Sequence, residues 1–142
     1  MKPITLDQYL GQYAHHPEAT LAVRRRADAW LNIVNEALVW VEKDGVELHV
    51  DPDTLCYIGG NGNGGFRPMY SPVGAANSRH KVGKDEQGPC AVDLYDPKRA
   101  IAVWSLANKL RLKGIGVLGI EDPRWTPTWC HWQGIGVPSG NL

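Results

Sequence analysis

Residues 114–137 read GIGVLGIEDPRWTPTWCHWQGIGV. Two short apolar runs, Gly114–Ile120 and Pro127–Val137, flank an acidic turn that carries proline, and this predicts two late strands. Just upstream, Asp96 and Pro97 have the character of an N-cap and a first helical residue. Ala100, Val103, Trp104, Ala107 and Leu110 follow as a helical stripe, which Gly114 ends. Further upstream, VELHV (46–50) alternates weakly and LCYI (55–58) is a short apolar run, and both predict strands.

The N-terminal third differs. Pro17 and Glu18 predict the opening of a long helix, since an acid in the first turn meets the positive end of the helix dipole. Val23, Ala27, Trp30, Leu31, Val34, Ala37, Leu38 and Val41 recur at three- and four-residue spacing, so one face is expected to be buried. Gly45 is the terminator. Helices first, then short strands interrupted by one helix, predict an α+β domain: a small antiparallel sheet flanked by helices. The chain of 142 residues reads as one domain, helical over residues 1–45 and carrying the candidate metal ligands within 46–142.

Composition narrows the function classes. Hydrophobic residues make up 43% and charged residues 21%, which suits a folded globular chain rather than a disordered one. Fifteen Lys+Arg balance fifteen Asp+Glu. A net charge of zero argues against a broad nucleic-acid face or a polybasic membrane patch. Three scattered cysteines, Cys56, Cys90 and Cys130, contain no CxxC pair and make no disulfide framework, which points to synthesis in a reducing compartment. The start, MKPITLDQYLGQYAHH, lacks the apolar stretch of a signal peptide, and no segment is apolar enough to span a bilayer; cytoplasmic synthesis is the expectation.

The residues able to carry chemistry lie in the second half. GGNGNGGFRP (59–68) has five glycines and needs tight turns or close backbone approach. It lacks the Lys-Ser/Thr of a phosphate loop, and no helix is predicted after it. Of five histidines, His15 and His16 read as surface residues at a helix entrance and His49 as an exposed strand residue. His80 and His131 are different. His131 sits between Trp129 and Trp132 in TWCHWQ, where water is sparse. In AVDLY, Asp93 is a carboxylate inside an apolar run, and so is expected to be paired or bound to a cation. Two histidines and one aspartate make the three-ligand set that catalytic zinc uses, with a fourth position left to water. Cys130 beside His131 is not a nucleophile–base pair, because neighbours on a strand point to opposite faces.

The segments GGFRP, SRH…G…AVDLYDP and EDPRWTPTWCHWQ resemble the zinc D-alanyl-D-alanine carboxypeptidase and L-alanyl-D-glutamate endopeptidase family, whose phage and bacterial members cut peptidoglycan peptides. Ser78, His80, Ala91, Asp93 and His131 match its Ser-x-His, Ala-x-Asp and late-His pattern, and Phe66-Arg67 matches its upstream aromatic-Arg. The resemblance spans Gly59 to Gln133, and the ending GVPSG is similar to the tail of phage members. It implies Zn²⁺ on His80, Asp93 and His131. It also implies Arg67 facing the oxyanion or a substrate carboxylate, Ser78 near the metal or the substrate, and Trp129 as a substrate platform, with Trp125 and Trp132 as further core or platform candidates.

Two departures stand out. The stretch from Lys81 to Val92 is longer than the family's usual gap between its first His and its Asp, and is expected to loop out between Gly83 and Gly88. Many members carry a Glu three residues before the last His as general base, where this chain has Thr128. The nearest acids are Glu121 and Asp122; Glu121 is the favoured base and Asp122 the second candidate. The implied function is a zinc peptidoglycan peptidase, a phage endolysin or virion-associated lysin. It would act as a monomer on a stem peptide, with neither nucleic acid nor membrane insertion, and would reach the wall after release from the host cytoplasm. L-Ala–D-Glu, D-Ala–D-Ala and D-Ala–diaminopimelate bonds all fit. The alternative is an inactive phage structural or wall-binding module with a vestigial zinc site, a reading that Thr128 feeds.

Overall fold

The computed structural model describes residues 1–75, 77–136 and 138; Ala76, Val137 and 139–142, and with them most of GVPSG, lie outside the described residues. In chain order the elements are α1 (Leu6–Leu10), a 3-10 turn (Gly11–Tyr13), α2 (Leu21–Lys43) and β1 (Ala91–Tyr95). They continue with α3 (Ala100–Ala107), α4 (Lys109–Ile115), β2 (Gly119–Ile120) and β3 (Trp129–Gln133). The sheet order is β1-β3-β2, antiparallel throughout. The class is α+β, with helices around a small antiparallel sheet.

Helix α2 buries the whole predicted stripe, from Val23 through Val41. Full burial of a side chain such as Leu38 contributes about 2 kcal/mol. Its start is three residues later than Pro17-Glu18 predicts. The Glu18 N–H is taken by His16 Nδ1 at 3.0 Å, which turns the chain away from helix. Thr20, in extended conformation, caps the helix instead, its side chain accepting from the Val23 N–H. Gly45 adopts φ +91° just past the end, the conformation the stop signal calls for. Helix α1 has no counterpart in the sequence reading, although Thr5 and Gln8 form a full capping box.

The strands need more correction. AVDLY, read only as an apolar run, is the edge strand β1. VELHV forms no strand: among the described residues no partner pairs with it, and His49 is half-buried rather than an exposed strand residue. LCYI contributes a single bridge, Ile58 to Leu94. Of the two late runs, only Gly119–Ile120 and Trp129–Gln133 pair.

The helix predicted from Pro97 to Gly114 is two helices, and the buried face of the first is Ile101, Ala102, Trp104 and Ser105; Val103 and Leu110 are exposed. The N-cap is Arg99, at φ +59°, and not Asp96, and Pro97 lies outside the helix; the two Asp96 carboxylate oxygens accept from the Ile101 and Ala102 N–H groups, so the helix begins at Ala100. At Asn108 the side-chain amide donates to the Trp104 carbonyl at 2.8 Å, competing with the backbone and breaking the run.

Strand alternation divides the sheet's roles. Val92, Leu94, Cys130 and Trp132 join one hydrophobic cluster with the α2 stripe. Asp93, His131 and Gln133 point to the opposite face. Trp132 is fully buried, with its indole N–H donating to Ser105 Oγ, whereas Trp125 is 63% exposed and no part of the core. The glycine-rich loop packs by backbone. Asp93 N–H donates to the Gly64 carbonyl and Gly59 N–H to the Asp93 carbonyl, both at 2.8 Å. A Cβ on Gly64 would meet Gly59 O at 2.3 Å and one on Gly65 would meet Tyr9 O at 2.0 Å, so close approach explains the glycines. The segment after His80 loops out between exposed residues 84 and 87, and a Gly88 N–H to Val82 carbonyl bond closes it. No described helix is long and apolar enough to cross a membrane. The cysteines are free and buried.

Asp96→Ala removes both acceptors at the start of α3. It should lower unfolding free energy by about 1–2 kcal/mol, read as a reduced urea midpoint with an unchanged slope.

Candidate metal centre

The centre is built across the sheet. In the β1–β3 register Asp93 stands directly opposite His131, so the two side chains share one face. Glu121 follows β2, and its N–H donates to the His131 carbonyl at 3.1 Å, which extends the row to a third side chain. His80 arrives from a loop anchored by an Arg67 N–H to His80 carbonyl bond at 2.9 Å. His80, Asp93 and His131 are buried, and one donor atom from each lies within 4.8 Å of the others. The two rings meet edge to face with centroids 5.2 Å apart.

Asp93 is the hub. Its Oδ2 accepts from Arg67 Nη2 at 3.0 Å. Its Oδ1 lies 2.8 Å from His131 Nδ1 and 3.3 Å from His80 Nε2. Burial alone would raise the Asp93 pKa, but the charge of His80 and the hydrogen bond from His131 outweigh it and hold the carboxyl well below the usual range. The histidines diverge. Burial pushes His80 down from its ordinary value. It works the same way on His131, where the Asp93 hydrogen bond overrides it and leaves the pKa raised.

The proton positions bear on what the group can hold. His80 Nδ1 lies 2.8 Å from the Gly65 carbonyl, which can only accept, so Nδ1 carries the proton. In the neutral ring, Nε2 then presents a lone pair toward a carboxylate oxygen. That contact is within ion-pair range, and among the described residues Nε2 is a buried nitrogen without a hydrogen-bond partner. Orphaned buried polar atoms are costly and rare. A cation between Nε2 and Asp93 removes the conflict. Two imidazoles and one carboxylate suit a first-row divalent ion, and the group can bind a metal.

A cavity of about 510 Å³ opens over this group, lined among others by Arg67, Ser78, Arg79, Glu121, Trp129 and Gln133. Lys81 holds one wall: fully buried, its ammonium donates to the Ser71 carbonyl at 2.8 Å and to those of Met69 and Gly74 at 3.4 Å. Glu121 Oε2 lies 3.9 Å from His131 Nδ1, and partial burial raises its pKa. Asp122 is not brought here. Its carboxylate accepts from Arg124 Nε at 2.9 Å and from the Arg124 N–H, because the next residue after Glu121 points the other way. Thr128 is exposed, and its carbonyl accepts from Asp96 N–H. Arg67 is mainly engaged with Asp93, Asn63 O and Val73 O, so only a fraction of its fork faces the cavity. Ser78 Oγ accepts from the His80 N–H at 3.3 Å. Cys130 faces Ser105 on the far side of the sheet, where burial raises its pKa.

Sequence reading overlooks Arg79, Lys81 and Gln133. Gln133 is recoverable, since it is two residues beyond His131 on one strand. Nothing local marks Lys81 as buried. The chain matches no protein-family model, no curated protein and no solved structure.

Metal-stripped protein should take up one divalent ion per chain. Asp93→Ala and His131→Ala should each abolish stoichiometric uptake in a chelator competition, with far-ultraviolet circular dichroism reporting that the fold persists.

Proposed function

We propose that this chain is a zinc-dependent peptidase that hydrolyses an amide bond in a peptidoglycan stem peptide, as a phage endolysin or virion-associated lysin. The observation that carries the reading is the orphaned His80 Nε2 aimed at Asp93, with the Glu121 carboxylate beside the same group in an open cavity. The resemblance over Gly59 to Gln133 supplies the substrate class. His80, Asp93 and His131 would hold the ion, leaving a position open as catalytic zinc sites do. Zinc bound there supplies Lewis acidity and makes water a nucleophile near neutral pH.

The chain's own residues do the rest. Glu121 accepts a proton from the attacking water and returns it to the leaving nitrogen; its raised pKa suits a group that must do both. Arg67 holds the Asp93 carboxylate in place and turns the remainder of its fork toward the substrate oxygen. Ser78, whose oxygen accepts from the His80 N–H, keeps its O–H for a substrate carbonyl. Trp129, half-buried at the cavity, offers an apolar platform for the peptide. The competing reading, a wall-binding module with a vestigial site, draws on Thr128; the Glu121 carboxylate in the row with His131 speaks against it.

Purified peptidoglycan should be digested, with the cleaved bond identified by mass spectrometry of the muropeptides. A chelator should stop digestion and Zn²⁺ should restore it. Glu121→Gln should slow turnover by about 10²–10⁴-fold, whereas Asp122→Asn and Cys130→Ala should leave it nearly unchanged. Wall binding without metal-dependent cleavage would sink the peptidase reading.

A further inference from the structure

Two guanidiniums, Arg67 and Arg79, line the cavity over the metal-ligand group. Arg67 is committed: Nη2 donates to Asp93 Oδ2 at 3.0 Å, Nε to the Asn63 carbonyl at 2.6 Å and Nη1 to the Val73 carbonyl at 3.5 Å. Arg79 is not. Among the described residues its guanidinium has one hydrogen-bond partner, Asp85 Oδ2, which accepts from Nη1 at 2.8 Å. Nη2 lies at the cavity wall, where a Cβ on Gly136 would stand 3.9 Å from it.

That partner is a weak hold. Asp85 belongs to the exposed loop that follows His80, and its side chain is 40% exposed against 24% for that of Arg79. An ion pair so open to water contributes little to stability. Asp85 has a second donor of its own, the Gln87 N–H at 3.3 Å, and keeps it when Arg79 leaves. The base of Arg79, by contrast, is fixed. Its carbonyl accepts from the Cys90 N–H at 2.8 Å, and the next residue in the chain is His80. A guanidinium on an anchored backbone, paired with a replaceable carboxylate, is suited to exchange that carboxylate for another. Its planar fork of donors matches a carboxylate through two parallel hydrogen bonds. Of the acids lining the cavity, Asp93 is matched by Arg67 and Glu121 stands beside His131; among the described residues neither pairs with Arg79.

The substrate class supplies the incoming carboxylate. In L-Ala–D-Glu, D-Ala–D-Ala and D-Ala–diaminopimelate bonds alike, the residue that leaves through its nitrogen bears a free carboxylate on the same carbon. We propose that Arg79 is the specificity-determining residue of this cavity: it binds that carboxylate, and Asp85 occupies it until the peptide arrives. The substrate named here rests on the peptidase reading above.

The test measures binding by calorimetry to metal-free protein, which avoids turnover. The probes are two peptide pairs: N-acetyl-L-Lys-D-Ala-D-Ala with a free or amidated C-terminus, and L-Ala–γ-D-Glu–L-Lys with a free or amidated D-Glu α-carboxylate. Wild type should bind the acid of at least one pair about 10–100-fold more tightly than its amide. Arg79→Gln should bring the acid down to the affinity of the amide and leave the amide unmoved. Arg79→Lys, which keeps the charge without the fork, should recover part of the preference. Asp85→Asn should tighten the acid about 2–5-fold, a gain that a misfolded variant cannot give. With Zn²⁺ restored, Arg79→Gln should raise KM for the acid while kcat changes little. Equal affinity of wild type for acid and amide in both pairs overturns the proposal, as does a preference that survives Arg79→Gln. A preference lost in Arg79→Gln, with no Zn²⁺-dependent hydrolysis by wild type, sinks the peptidase reading and leaves the carboxylate site standing. Hydrolysis without any such preference does the reverse.

Discussion

A carboxylate buried on the edge strand of a small sheet has to be matched by positive charge or by donors, and Asp93 organises this protein around that requirement. Its two oxygens are divided. One accepts from the Arg67 guanidinium; the other is approached by both His131 and His80. Without these neighbours the cost of burying an ionised acid would be several kcal/mol. With them the carboxyl is held well below its ordinary pKa, and Arg67, His80 and His131 surround it. His80 answers that need incompletely. Its inward nitrogen lacks a hydrogen-bond partner among the described residues, and this shortfall leaves a group that could hold a cation.

The scaffold that holds Asp93 is economical. Cross-strand pairing sets it against His131, and the bond from Glu121 to the His131 carbonyl adds a second acid to the row. On the other edge of β1 the glycine-rich loop lies backbone to backbone with Asp93, a contact that any side chain on Gly64 would prevent. That loop then supplies the Gly65 carbonyl to His80 and carries Arg67 inward. The buried Lys81 ties the next stretch of chain by three carbonyls and gives the cavity a wall. Hydrophobic burial by α2 and the opposite sheet face keeps this polar layer in register.

Much of this is legible in the residues. The α2 stripe is legible because a period of 3.6 sustained along the whole of Leu21–Lys43 leaves little choice of buried face. Asp93 among apolar neighbours and His131 between tryptophans announce an unusual environment on their own. The short strands are not legible in the same way: VELHV alternates and yet forms no strand with any described residue, while AVDLY barely alternates in polarity and becomes an edge strand. Strand formation is settled by a partner, and local alternation does not name one. The later helical stripe misleads for a similar reason, because Asp96 accepts from first-turn N–H groups from a position ahead of the Arg99 N-cap and Asn108 interrupts with its own side chain.

From the amino-acid order alone come the α+β class, the amphipathic helix, and the candidacy of His80, Asp93 and His131, since these depend on periodicity and on which side chains tolerate burial. Tertiary structure alone decided that Glu121 faces the cavity while Asp122 is turned to Arg124, that Arg67 is mainly committed to Asp93, and that Gln133 and the Gly65 carbonyl lie against the two imidazoles. Those choices depend on contacts between segments far apart in the chain, and hydrogen-bond direction is set only when a particular donor meets a particular acceptor.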